Sequence, residues 1–220
     1  MIKGGGLAIA IIMGALAAAP PVGAASDPAR GSGYFPPEFR KPSILCPIFR
    51  RQPVISEVEA EWYPRILMAA DEPSLYALSR QSRPPGVRTY RLTFIPTFHK
   101  PMIVRLNRWS TGETELVATR LSGAGGYDPG LPEENAGGVV RRVLSKDEER
   151  RFEHLLKAAS NLNRSSADCR LGTDGSQWIL ESASGGTYRY VNRWSPERGD
   201  ERALGEFMLG LAGWRPPRGY

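Results

Sequence analysis

Histidine is nearly absent: His99 and His154 are the only two in 220 residues. A serine triad needs a base histidine oriented by a carboxylate, and a zinc centre draws on clustered histidine and cysteine. His154 falls opposite an apolar helical stripe and is expected in solvent. His99 lies in a bend between Pro96 and Pro101, within notional reach of Glu72 or Asp128, and reads as a surface-loop histidine. No metal site and no cofactor is expected.

Cysteine is as scarce. Cys46 and Cys169 are not in a Cys-x-x-Cys arrangement, so an even count in an oxidising compartment points to one structural disulfide. Phosphate-cradling glycine loops are missing too, because Gly123-Ala124-Gly125-Gly126 lacks the strand, lysine and helix of a P-loop. Long apolar runs are confined to the start of the chain. Lys3 precedes Leu7 to Ala19, about 13 residues, short of the ~20 that span a bilayer. Pro20-Pro21 end the run and the small residues Val22 to Ser26 follow it. This is the pattern of a cleaved signal peptide over residues 1–25, with no cysteine beside it to carry lipid. A periplasmic or secreted protein is expected, not membrane-spanning once the leader is removed.

The net charge is +6, and the positive charge is overwhelmingly arginine. Nucleic-acid binders concentrate such charge on one face or tail, whereas these arginines are scattered and interleaved with glutamate. No nucleic-acid partner is expected; net charge alone allows attraction to anionic surfaces.

Residues 26–53 are rich in proline, glycine and arginine and read as an extended arm. Residues 54–220 suffice for a single domain with its own core. Ser56-Glu57-Val58-Glu59 has the form of a capping box, with Trp62, Ile66, Leu67 and Ala70 at helical spacing behind it. Pro64 is expected to kink this helix or reset its start, and Glu72-Pro73 to end it. Tyr90, Leu92 and Phe94 alternate with Thr89, Arg91 and Thr93, as in a half-buried strand. Strands from Met102 and near Leu116 to Leu121 complete a meander, and a short strand near Val139 to Val143 follows the loop from Ser122 to Gly138. Ser145-Lys146-Asp147-Glu148 caps a helix with the stripe Phe152, Leu155, Leu156 and Ala159, and a final helix buries Leu204, Phe207, Met208 and Leu211. The fold class is α+β: an antiparallel sheet, meander plus C-terminal hairpin, packed with two to three helices.

The hairpin runs from Gln177 to Trp194. A three-residue loop at Ser184 to Gly186 puts Trp178, Leu180, Tyr188, Tyr190 and Trp194 on one face. Gln177, Ile179, Glu181, Arg189, Val191 and Arg193 then share the other, with Glu181 opposite Arg189; a two-residue loop mixes the faces. Such a polar face could hold an acidic group, since arginine grips a carboxylate with two hydrogen bonds.

Trp62-Tyr63, Glu72-Pro73-Ser74-Leu75, Tyr90-Arg91, Thr97-Phe98-His99 with Pro101, Val104-Arg105, Gly125-Gly126-Tyr127 with Pro129-Gly130, and the block from Asp174-Gly175 to Ser195-Pro196 together resemble a family of exported bacterial proteins of uncharacterised function. The resemblance covers nearly the whole domain and implies export, but brings no activity, cofactor or catalytic residue. The candidate ligand-binding residues are therefore Gln177, Glu181, Arg189, Arg193, His99, Glu72 and Tyr127. The expected function is an exported binding or accessory module whose partner is an envelope protein or an acidic ligand. One alternative is a carboxylate-dependent envelope hydrolase using Glu181 with Glu72 or Asp128, since a glycosidase needs only two carboxylates at the right separation. Asp174 is a further carboxylate candidate. A second alternative is an inhibitor or immunity protein for a partner enzyme.

Overall fold

A computed structural model describes residues 33–47, 51–135, 137–160, 166–169, 172 and 174–219. The expected signal peptide, residues 1–25, lies outside them. The arm opens with a 3-10 turn (Pro37–Arg40) and a two-stranded ladder of β1 (Ile44–Leu45) and β2 (Arg51–Gln52). Helices α1 (Glu57–Ala69) and α2 (Leu75–Ser79) follow, then strands β3 (Arg88–Pro96), β4 (Met102–Arg108), β5 (Thr114–Arg120) and β6 (Val139–Val143). Helix α3 (Lys146–Ser160), the hairpin β7 (Ser176–Ser184) and β8 (Thr187–Trp194), and helix α4 (Asp200–Leu211) complete the chain. The main sheet is six-stranded and antiparallel in the order β6-β5-β4-β3-β7-β8, so the fold is α+β. Among the described residues there are four helices against the two to three expected; α2 is too short to leave a periodic signature.

Local signals set the helix starts. Ser56 Oγ accepts the Glu59 amide while Glu59 reaches back to the Ser56 amide, and Ser145 does the same with Glu148. Each box satisfies two amides that a helix start otherwise leaves without partners. Helix α1 runs from Glu57 through Pro64 as one element rather than starting afresh at the proline.

Each face of the sheet has its own core. One, under α3 and α4, holds Leu92, Phe94, Val104, Leu106, Leu116 and Trp178. The other, under α1 and the arm, holds Ile55, Tyr63, Ile66, Ile95, Ile103 and Ile179. The arm is thus laid onto the sheet, with Phe35 and Phe39 packed edge-on or tilted against Tyr190. This second layer corrects the expectation of a half-buried β3: Arg91 and Thr93 lie under α1, α2 and their connector, not in solvent.

The hairpin register is also corrected. The loop is two residues, Gly185 and Gly186, with Ser184 paired to Thr187. Gly186 sits at φ +76°, where a side chain would be strained, and its amide donates to the Ser79 carbonyl at the end of α2. That anchorage fixes the shorter loop, and every residue of β8 changes face relative to the expectation. Trp178 and Leu180 share their side with Arg189, Val191 and Arg193; Gln177, Ile179 and Glu181 share theirs with Tyr188, Tyr190, Asn192 and Trp194. Glu181 faces Tyr190, not Arg189. Cys46 and Cys169 form the expected disulfide, tying the arm to a segment that bridges β8 at Asn192.

Candidate functional site

A row of side chains crosses the second-layer face in register: Arg105 on β4, Arg91 on β3, Glu181 on β7 and Tyr190 on β8. The connector between α1 and α2 lowers Glu72 and Pro73 onto it. Arg91 Nε and Nη2 donate to Glu181 Oε2 at 2.9 and 2.6 Å, and Nη1 donates to the Pro73 carbonyl at 2.6 Å and to Glu72 Oε2 at 3.4 Å. Arg105 Nε donates to both Glu72 oxygens, at 3.2 and 2.9 Å, and Tyr188 donates to Glu181 Oε1 at 2.8 Å. Burial alone would push the Arg91 guanidinium down, but Glu181 and Glu72 on either side hold it above its ordinary value. Burial, with Glu181 beside it, raises the Tyr188 hydroxyl well above its own. Two predicted site residues, Glu72 and Glu181, therefore do come together, but inside the protein and held by guanidinium donors and, at Glu181 Oε1, by the Tyr188 hydroxyl. This is a charge-balanced clamp between connector and sheet.

The same face opens into a cleft of ≈ 920 Å³ where β7 begins and β8 ends. Its floor carries Gln177 and Asn192, diagonal neighbours across the hairpin and only 8% and 6% exposed. Asn192 Nδ2 donates to Tyr63 at 3.2 Å, its Oδ1 is closed off from solvent and accepts from no described residue, and the Gln177 side chain makes no hydrogen bond to any described residue. Amides on a buried floor seldom stay unpaired, so Gln177 has hydrogen-bonding capacity in reserve. Tyr63 in turn donates to Glu59 at 2.7 Å; burial, then Tyr190 and Glu59, raise its hydroxyl well above the ordinary value.

Aromatic walls frame the floor. Trp62 lines one side, its indole donating to the Gly125 carbonyl at 2.6 Å. Trp194 lines another, gripped by Gly172 and Gly175, where a Cβ would come within 2.5 and 2.6 Å of the indole. Tyr127, 61% exposed, stands at the rim, its carbonyl held by Arg65 and its ring tilted on Phe98. Among the described residues Glu59, Glu61, Asp168 and Asp174 also line the cleft against the single cation Arg65, so the described part of the lining is net acidic. The disulfide closes one end.

The cleft thus unites two predicted residues, Gln177 and Tyr127, with Asp174 from the carboxylate candidates. It does not include the others. Arg193, expected on an exposed polar face, is buried on the α3/α4 side and donates to Glu201 at 3.0 Å, because the shorter loop turned it inward. Arg189 is exposed on that same side, away from Gln177 and Glu181. His99 is exposed, its carbonyl taking the Gly125 amide; Asp128 is exposed and caps its own turn at the Gly130 amide. Sequence reasoning missed Arg91, Asn192, Trp62 and Trp194. A signal existed for Arg91: Ile95 and Ile103 share its face and are too apolar for solvent.

Among the described residues no group of three or more histidine, cysteine or acidic side chains is placed to hold a metal ion, and no helix is long and apolar enough to cross a membrane. No family model, no curated protein and no solved structure matches the chain.

Proposed function

We propose that this protein is an exported binding module whose ligand, a neutral polyhydroxylated chain such as an oligosaccharide, lies in the cleft over Gln177 and Asn192. The observation that carries the reading is the Gln177 amide, with unused hydrogen-bonding capacity on the floor of a cleft with aromatic walls. Amides donate and accept at once, as hydroxyl groups do, and indole and phenol faces stack on the apolar side of a sugar ring. The cleft volume falls within the ~300–1,000 Å³ usual for ligand sites. The net acidic charge of the described lining disfavours the acidic ligand that a joint Gln177, Glu181, Arg189 and Arg193 face would have favoured. Export is supported by the leader pattern in residues 1–25 and by a disulfide suited to an oxidising compartment. The hydrolase reading loses support at Glu72 and Glu181, whose oxygens are held by Arg91, Arg105 and Tyr188.

Trp62 and Trp194 supply the assay. Titration with chitotetraose and cellotetraose should change tryptophan fluorescence saturably, whereas oligogalacturonate should not. Gln177→Ala should weaken the interaction about ten-fold, the loss of one or two neutral hydrogen bonds, at unchanged thermal stability. Binding by oligogalacturonate alone, or indifference to Gln177→Ala, overturns the proposal.

A further inference from the structure

On the opposite face the described residues leave the roof incomplete. Leu180 and Val191, cross-strand partners in the hairpin, are only half-buried, while Leu92 and Phe94 on the neighbouring strand are closed off. The gap is a groove of ≈ 410 Å³ floored by Leu180 and Val191 and lined from α3 by Phe152 and Leu156 and from α4 by Met208. Arg189 lines it from the exposed end of β8. Glu201, the other charged side chain of this face in the lining, is held by Arg193, while Arg91 and Glu181 turn their side chains to the far face of the sheet and pair there. Arg189 makes no ion pair or hydrogen bond among the described residues. An apolar trough with one uncompensated cation at its open end is complementary to a hydrocarbon tail bearing one anionic head.

We infer that this groove binds a free medium- to long-chain carboxylic acid, its tail on Leu180 and Val191 and its carboxylate on Arg189. The volume is within the ~300–1,000 Å³ of small-molecule sites, and a guanidinium meets a carboxylate with two parallel hydrogen bonds. The site lies across the sheet from the cleft and does not depend on it. Each methylene drawn from water into the groove should tighten binding about four-fold until the groove is full.

Isothermal titration of the intact protein with octanoate, decanoate and dodecanoate, all below micelle formation, tests this directly. Affinity should climb along the series, and decyltrimethylammonium, with the opposite head charge, should bind far more weakly than decanoate. Arg189→Gln should weaken decanoate binding at least about ten-fold without lowering the melting temperature, and Arg189→Lys should recover part of the loss. Ala159→Trp, which plugs the groove from α3, should abolish binding. A flat chain-length series, equal binding of the cationic amphiphile, or an Arg189→Gln protein that binds decanoate normally refutes the site. Reversible dimerisation that Ala159→Trp disrupts would assign the groove to a second copy of the chain and refute it equally.

Discussion

Arg91→Met isolates the central clamp. Methionine fills much of the same space but withdraws four donor contacts: two to Glu181, one to Glu72 and one to the Pro73 carbonyl. Glu72 keeps Arg105 at 2.9 Å, whereas Glu181, with a side chain 0% exposed, is left with the Tyr188 hydroxyl as its remaining side-chain donor. Stranding one charge of a buried pair costs about 3–5 kcal/mol. For a domain of this size each kcal/mol moves the midpoint by about 2–4 °C, so thermal unfolding should come roughly 6–20 °C lower. Urea denaturation should show a lower midpoint at unchanged slope. The decisive comparison is Arg91→Met with Glu181→Leu, which removes both charges; a buried pair replaced by apolar groups is often neutral, so the double variant should exceed Arg91→Met in stability by about 2 kcal/mol or more. If Arg91→Met costs under about 1 kcal/mol, or the two substitutions simply add, the clamp is not coupled as described.

Four further outcomes follow from the packing. Trp178→Ala, which removes a fully buried ring in T-shaped contact with Phe94, should cost about 3–5 kcal/mol by chemical denaturation. Arg193→Ala should also destabilise, by about 1.5–3 kcal/mol, because it removes the 3.0 Å charge-assisted hydrogen bond to buried Glu201; a silent variant would contradict the observed register. Reducing Cys46–Cys169, which closes a separation of 123 residues, should cost about 2–5 kcal/mol in paired denaturation curves with and without dithiothreitol. The Arg142 guanidinium above all, with Ser145, draws the Glu148 carboxyl from 4.5 down to about 2 against the cost of burial. Its stabilisation is present above pH ~4.5 and is lost as pH falls toward 2; with the two side chains 36% and 29% exposed, screening limits it to about 1 kcal/mol, and Glu148→Gln should flatten that part of the acid-stability curve.

Elements whose signals are local were legible in the chain. The boxes at Ser56 and Ser145 mark helix starts, and the alternation through Tyr90, Leu92 and Phe94 marks a strand, because each depends on residues within one or two turns or pleats. The hairpin register was not legible, since it turns on the Gly186 amide finding the Ser79 carbonyl more than a hundred residues away in sequence. One residue of slippage then moved Arg189 and Arg193 across the sheet and dissolved the polar face expected with Gln177 and Glu181. The cleft is half legible for the same reason. Gln177 and Tyr127 stand out in short motifs, but Trp62 and Asn192 acquire meaning only when α1 is laid across β8.

The strand order sets a timetable for folding. β3 meets β4 after a short bend, but its other neighbour arrives much later: Phe94 pairs with Trp178, 84 positions downstream. At about 5–20 residues per second, synthesis leaves that side of β3 open for roughly 4–17 s. Meanwhile the meander presents Leu92, Phe94 and Ile95 beside unpaired backbone groups, a template for pairing with other chains. Contacts this distant also close slowly, because loop entropy is lost before the pairing repays it. The strand that ends at the heart of the sheet spends its first seconds as an edge.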